Sequence, residues 1–169
     1  MRDVEIRHEV TPRLPRAWRR VLAIGCGDCL AVVPGVDGLT DRGSVWAYLV
    51  SMPGASRALT APSRSGIRAD DRLRLALDDA ADVGEARSVG NPPEDPVRWF
   101  DGLVDIHHTN CAAHGLSHGH VPLEDQLRVI QYSQAVARPV LERTIGGRLP
   151  ILQRIIEVRT GRWLFGRED

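Results

Sequence analysis

Three residues of this 169-residue chain have the types and spacing to hold a transition metal. Cys26 follows the apolar run Val21–Ile24 and Gly25. His108 and Cys111 form a His-x-x-Cys pair directly after a second apolar run, Leu103–His107. Thiolate sulfur and imidazole nitrogen are donors that suit zinc. Catalytic zinc sites take three protein ligands and keep a fourth position for water or substrate. Other readings of the same residues stay open. Cys26 alone could be a buried core thiol, a common fate of cysteine. Cys26-Gly27-Asp28-Cys29 is a Cys-x-x-Cys and could be a redox pair. Such a pair should open a helix, and the residues that follow, Leu30-Ala31-Val32-Val33-Pro34-Gly35, read poorly as one. Cys29 could also be a fourth ligand, which would close a Cys₃His structural site.

The elements that must position these residues are strands. A short apolar run closed by Gly25 reads as a buried parallel strand that delivers Cys26 to its carboxyl end. Ser44–Val50 is a second strand, stopped by Met52-Pro53-Gly54. Leu103–His107 is a third. Residues 70–83 read as a helix on the spacing of Leu73, Leu77, Ala80 and Ala81, with Asp70 and Asp71 at its N-terminus. Leu123–Leu141 reads as an amphipathic helix with apolar positions Leu127, Ile130, Val136 and Val140, kinked or ended by Pro139. Ile151–Arg159, Thr160-Gly161 and Arg162–Phe165 read as a terminal hairpin. Residues 1–19 are expected to be an N-terminal arm and residues 20–169 a single zinc-binding domain. Strands alternating with helices imply an α/β fold with a mostly parallel sheet, whose sites lie at the carboxyl ends of strands. If the strands carrying Cys26 and His108 are neighbours, the three ligands converge.

Composition narrows the function classes. Basic and acidic residues balance at 22 each, so charge gives no reason to expect nucleic acid or an anionic membrane as partner. All the basic residues are Arg. No apolar run approaches the roughly 20 residues of a membrane helix, and the N-terminus lacks the apolar core of a secretory signal, so a cytoplasmic protein is expected. Three cysteines, an odd number, suit metal binding or catalysis better than a disulfide framework.

The ordered motifs resemble the β-class carbonic anhydrases. In that family one strand ends in Cys-x-Asp-x-Arg and a later one in His-x-x-Cys. Here VLAIGCGDCL supplies Cys26 and Asp28, and DIHHTNC supplies His108 and Cys111. DRGSVWAYLVSMPGAS is similar to the family's second strand and its small-residue turn, and LPILQRIIEVRTGRWLF to its closing hairpin. The resemblance runs over most of residues 20–165. It implies a Zn²⁺ enzyme that reversibly hydrates carbon dioxide to bicarbonate by zinc-bound hydroxide. It also implies Cys26, His108 and Cys111 as ligands, Asp28 as the catalytic carboxylate that accepts a hydrogen bond from the zinc-bound water, a small-molecule substrate, and a homodimer or higher homo-oligomer in which the N-terminal segment crosses to the partner.

The chain departs from the family in three places. The motif's Arg is Leu30, the usual Gly after the second Cys is Ala112, and the stretch before His108 is long. In the family the Arg holds the Asp off the metal. With Leu30, Asp28 could close the site by coordinating zinc, be held by Arg42 or Arg57 instead, or act as general base on another substrate. Leu30, Ala112, Arg42 and Arg57 are therefore the expected pocket residues. The alternatives are a divergent zinc hydrolase or lyase acting on another small electrophile, and a non-catalytic protein with a closed zinc site.

Other candidates have plain explanations beside functional ones. His107 should project away from His108 and pack, or support the site from behind. His114, His118 and His120 lie in a Gly-rich loop and could shuttle protons or simply be solvated. Trp46, Tyr48 and Trp99 could line the pocket or fill the core. Asp78 and Asp79 read as a solvated helix face.

Overall fold

A computed structural model describes residues 7–9, 14–27, 45–60, 68, 71, 73–75, 77–79, 82, 96–117 and 120–165. Six strands form one sheet: β1 (Arg7–Glu9), β2 (Arg20–Gly25), β3 (Trp46–Ser51), β4 (Gly102–His108), β5 (Ile151–Glu157) and β6 (Arg162–Phe165), in the order β1-β6-β5-β4-β2-β3. The four neighbouring strands β5, β4, β2 and β3 are parallel, with β3 at the edge of the sheet, and β5-β6 is the expected antiparallel hairpin. The α/β class and the mostly parallel sheet are as read from the sequence. The segment read as an arm contributes β1, which pairs with β6 of the same chain through His8 and Leu164.

The sheet is covered on both sides, which is why β2 and β4 are apolar runs rather than alternating ones. All seven residues of β4 are buried. On one face Leu22, Ile24 and Leu103 pack with Val50, Met52, Leu73, Leu77, Leu141 and Ile145. On the other, Val21, Ala23, Val104 and Ile106 pack with Trp18, Ile156 and Trp163. Each fully buried aliphatic side chain contributes roughly 1.5–3 kcal/mol. The Trp18 ring packs against Gly102, where a Cβ would sit 2.2 Å from it. The Gly at the start of β4 thus leaves room for the indole.

Helix α1 (Leu123–Thr144) lays Leu127, Ile130, Gln134, Ala137 and Leu141 inward, alternating three- and four-residue steps along one stripe. Glu124 and Asp125 in its first turn complement the helix dipole. Of the two outcomes expected at Pro139, a kink or an end, the helix does not end there; α1 runs on to Thr144. Pro139 and Ala135, whose carbonyl loses its partner, are both exposed, so water can take the missing N–H's place. Val136 is off the core stripe and 43% exposed. Among residues 70–83, those described are helical, with Leu73 and Leu77 in the core and Asp78 and Asp79 exposed as expected; Ala80 and Ala81 lie outside the described residues. Among the described residues no helix is long and apolar enough to cross a membrane.

Candidate metal centre

Parallel pairing of β2 with β4 sets Gly25 beside Ile106, so Cys26 and His108 emerge at the same carboxyl edge of the sheet. Cys111 reaches the same point because the chain reverses after β4. Thr109 is tied down twice: its N–H donates to the Ile156 carbonyl at 2.9 Å, and its Oγ1 accepts from the Val158 N–H at 3.0 Å. Asn110 makes the reversal in the left-handed region, at φ 57°, a conformation asparagine tolerates better than most residues. Gln126 of α1 locks it. Its Oε1 accepts from the Asn110 N–H at 2.7 Å, while its Nε2 donates to Asn110 Oδ1 at 3.2 Å and to the Val121 carbonyl at 2.9 Å. The carbonyl of Cys111 then accepts from the His114 and Leu116 N–H groups, opening a short 3-10 turn, Ala112–His114.

The donor atoms of Cys26, His108 and Cys111 all lie within 4.8 Å of one another. Cys26 and Cys111 are not joined in a disulfide, and their sulfurs stand 3.7 Å apart. Two thiolates bound at about 2.3 Å in a tetrahedral zinc site stand about 3.75 Å apart, so the pair already has a metal-site spacing. The His108 Nδ1 donates to the Thr109 carbonyl at 2.8 Å. A carbonyl only accepts, so Nδ1 carries the proton and the lone pair of the neutral ring is on Nε2, the usual way a ligating histidine is oriented. The Gly54 N–H donates to Cys26 Sγ at 3.3 Å. This donor set fits a zinc ion. Without a cation the pair resists ionisation: the hydrogen bond to Cys26, burial and the Cys26 charge together push the Cys111 thiol far up. A bound divalent cation reverses that preference.

A second, buried polar group sits beside the ligands. Asp105 of β4 accepts from the Ser56 hydroxyl at 2.7 Å, the Ser56 N–H at 3.3 Å, Gln153 Nε2 at 3.1 Å and His107 Nε2 at 3.2 Å. Burial raises its pKa, but the His107 charge and the hydrogen bonds from His107, Ser56 and Gln153 outweigh it and hold the carboxyl below its ordinary value. The set contains Ser, His and Asp but is not a nucleophilic triad. Ser56 Oγ meets His107 Nε2 at 3.0 Å, the same nitrogen that Asp105 meets, and the Ser56 proton goes to the carboxylate. In a triad the carboxylate holds the opposite ring nitrogen. His107 therefore belongs to a polar network rather than to apolar packing, and its Nδ1 is buried without a hydrogen bond among the described residues.

His114 is not a solvated loop residue. Its ring stands edge-on to His107 with centroids 5.2 Å apart, and both its nitrogens are buried with no hydrogen-bond partner among the described residues. Burial, with the nearby His107 and Arg57 charges adding to it, lowers its pKa to about 4. Arg57, half-buried on the 3-10 turn Ala55–Leu59, is thus beside the site, and Ala112 is exposed next to Cys111. His120 is exposed and lines a separate groove of about 420 Å³ with Asn110, Gln126, Glu157 and Arg159. Asp28, Cys29, Leu30, Arg42 and His118 lie outside the described residues.

The aromatic residues pack with the core, Trp99 within it and Trp46 and Tyr48 against it. Trp46 pairs with Arg20 at the opposite end of β2 from Cys26, and its ring meets Trp99 edge-on at 4.6 Å in the core. Sequence reasoning missed Ser56, Asp105, Gln126 and Gln153. For Asp105 a signal existed, a lone acid inside the apolar run LVDI.

The strands and donors together define an α/β protein with a Cys₂His cluster at the carboxyl edge of a parallel sheet. No family model and no curated protein matches the chain. Two solved structures are similar to it, both from Aspergillus fumigatus. One is the b-carbonic anhydrase CafA, at 16% identity and TM-score 0.49 over 89% of this chain and 76% of that one. The other is a point mutant of the beta-carbonic anhydrase CafD, at 15% identity and TM-score 0.45 over 98% of this chain and 99% of that one.

Proposed function

We propose that this chain is a zinc enzyme of the β-carbonic anhydrase type that reversibly hydrates carbon dioxide. The observation that carries the reading is the 3.7 Å separation of Cys26 and Cys111 sulfurs in one cluster with His108. It joins the ordered motifs of the sequence to a donor set suited to zinc. The ion, when bound, supplies a Lewis acid able to bring the pKa of water from about 15.7 to about 7.

The chain's own groups do the rest. Two thiolates and one neutral imidazole would hold the ion and would leave it one position for an exchangeable ligand. The Thr109 carbonyl fixes the ring of His108. The Gly54 N–H steadies the sulfur of Cys26. Leu49 and Ala113 pack on the two thiols and restrict water there. Asp28, two residues beyond Cys26 in the chain, is the proposed proton acceptor, with Arg57 or Arg42 as its proposed partner in place of the residue now Leu30. Leu30 and Ala112 are proposed to border the small-molecule substrate. A cytoplasmic homodimer with no nucleic-acid or membrane partner is part of the same proposal.

The test is stopped-flow hydration of carbon dioxide by the zinc-loaded chain beside Cys111→Ser. Hydration above the buffer rate that is lost in the variant supports the reading. A fully loaded chain no faster than buffer rejects the hydratase. It leaves either a closed site, with Asp28 or Cys29 as fourth ligand, or a different electrophile.

A further inference from the structure

We infer that Asp105 and Ser56 are positioning residues for the metal thiolate of Cys26, acting through the Met52–Ser56 turn. The inference rests on the proposed metal site and extends it to residues that touch no ligand.

The turn after β3 is the only described segment in which two successive residues take left-handed conformations beside the site, Gly54 at φ 72° and Ala55 at φ 53°. For Ala55 this brings its Cβ close to the following carbonyl oxygen, so something must hold it. On its near side the Ala55 N–H donates to the Met52 carbonyl at 2.9 Å, and the Met52 N–H to the Gly25 carbonyl at 2.9 Å. On its far side Ser56 is fully buried, and both its N–H and its hydroxyl donate to Asp105. Asp105 is a fully buried carboxylate on the central strand. Gln153 of β5 braces it, and the same Gln153 amide also donates to the Gln134 carbonyl of α1 at 3.0 Å. The anchor is therefore tied to β4, β5 and α1 at once.

The turn so fixed points one N–H, that of Gly54, at Cys26 Sγ. It also packs against the ligand turn on the other side, where a Cβ on Gly54 would meet Ala113 Cβ at 3.0 Å. An N–H donated to a ligating thiolate stabilises the charged form and draws electron density from the sulfur. Supporting groups of this kind typically alter metal affinity 10–100-fold. The alternative is that the Asp105 group is only a buried structural brace. The two differ in what reaches the sulfur.

Cobalt(II) is the probe, because its thiolate charge-transfer band reports on the sulfur itself. Wild type, Ser56→Ala and Asp105→Asn are compared by the energy of that band, by zinc affinity against a chelator, and by thermal melting without metal. A band shift together with roughly tenfold weaker zinc binding in a variant that keeps its fold is the expected result. An unchanged band and affinity in either folded variant, whatever its melting temperature, overturns the inference. Should Asp105→Asn fail to fold, Ser56→Ala, which removes one hydroxyl, decides alone. A wild-type chain that binds neither cobalt nor zinc would instead reject the metal site on which the inference rests.

Discussion

The sulfurs of Cys26 and Cys111 stand 3.7 Å apart although 85 residues separate them in the chain. Without a cation this proximity keeps the Cys111 thiol protonated. Metal must therefore displace protons on binding, and affinity should rise with pH between about 6 and 8, by up to about two protons per ion. Chelator competition at several pH values, with calorimetry in buffers of different ionisation enthalpy, measures both. A pH-independent affinity would mean that thiols are not the donors.

Replacing Leu30 by Arg restores the partner that the family resemblance assigns to Asp28. Leu30→Arg should raise carbon dioxide hydration roughly tenfold, the scale of one charge-assisted hydrogen bond. The rate constant is compared at equal zinc loading. Two zinc-loaded proteins that both lack activity would remove the hydratase reading while leaving the metal site standing.

Trp18 ties the segment before β2 to the sheet by packing against Gly102, with ring atoms 2.2–2.5 Å from where a Cβ would be. Gly102→Ala must displace the indole and should cost about 1–3 kcal/mol. Urea unfolding of the metal-free chain measures it. A change below about 0.5 kcal/mol, the range of ordinary surface substitutions, would show that the indole is not held there.

Acid should weaken the metal-free fold in two ranges. His114 is depressed from 6.5 to about 4 in the fold, so between those values the unfolded chain binds more protons than the folded one. Stability must then fall as pH drops from about 6.5 to about 4. Asp105 is held below its ordinary 3.8, so its contribution is present above that value and is lost as pH falls through the folded one. Urea midpoints against pH should lose the upper slope in His114→Gln and the lower slope in Asp105→Asn. An unchanged upper slope in His114→Gln would place that titration elsewhere.

What could be read from the sequence follows from range. The strands at 21–24 and 103–107 are legible because a strand buried on both faces is a continuous apolar run, and its carboxyl end is where a site forms. Cys26, His108 and Cys111 were found on that ground. Pro139 does not by itself say whether the helix stops, because propensity is local, whereas the cost of a lost hydrogen bond depends on whether its carbonyl faces water. Trp46 and Trp99 stay undecided in the sequence because aromatic residues look alike in a pocket and in a core until strand register separates the two ends of the sheet. His114 and Asp105 were illegible as a group because they meet Arg57 and Ser56 only after the turn at Gly54 and the reversal at Asn110 have formed. No pattern within a short window encodes that meeting.

Zinc K-edge X-ray absorption on the stoichiometrically loaded chain decides whether these residues hold the ion. The spectrum should show two sulfurs at about 2.3 Å and one imidazole nitrogen at about 2.0 Å, completed by a light atom. The two-sulfur signal should fall to one in Cys26→Ser and in Cys111→Ser alike. A shell without sulfur, or one with three sulfurs that brings Cys29 onto the ion, would contradict this ligand set.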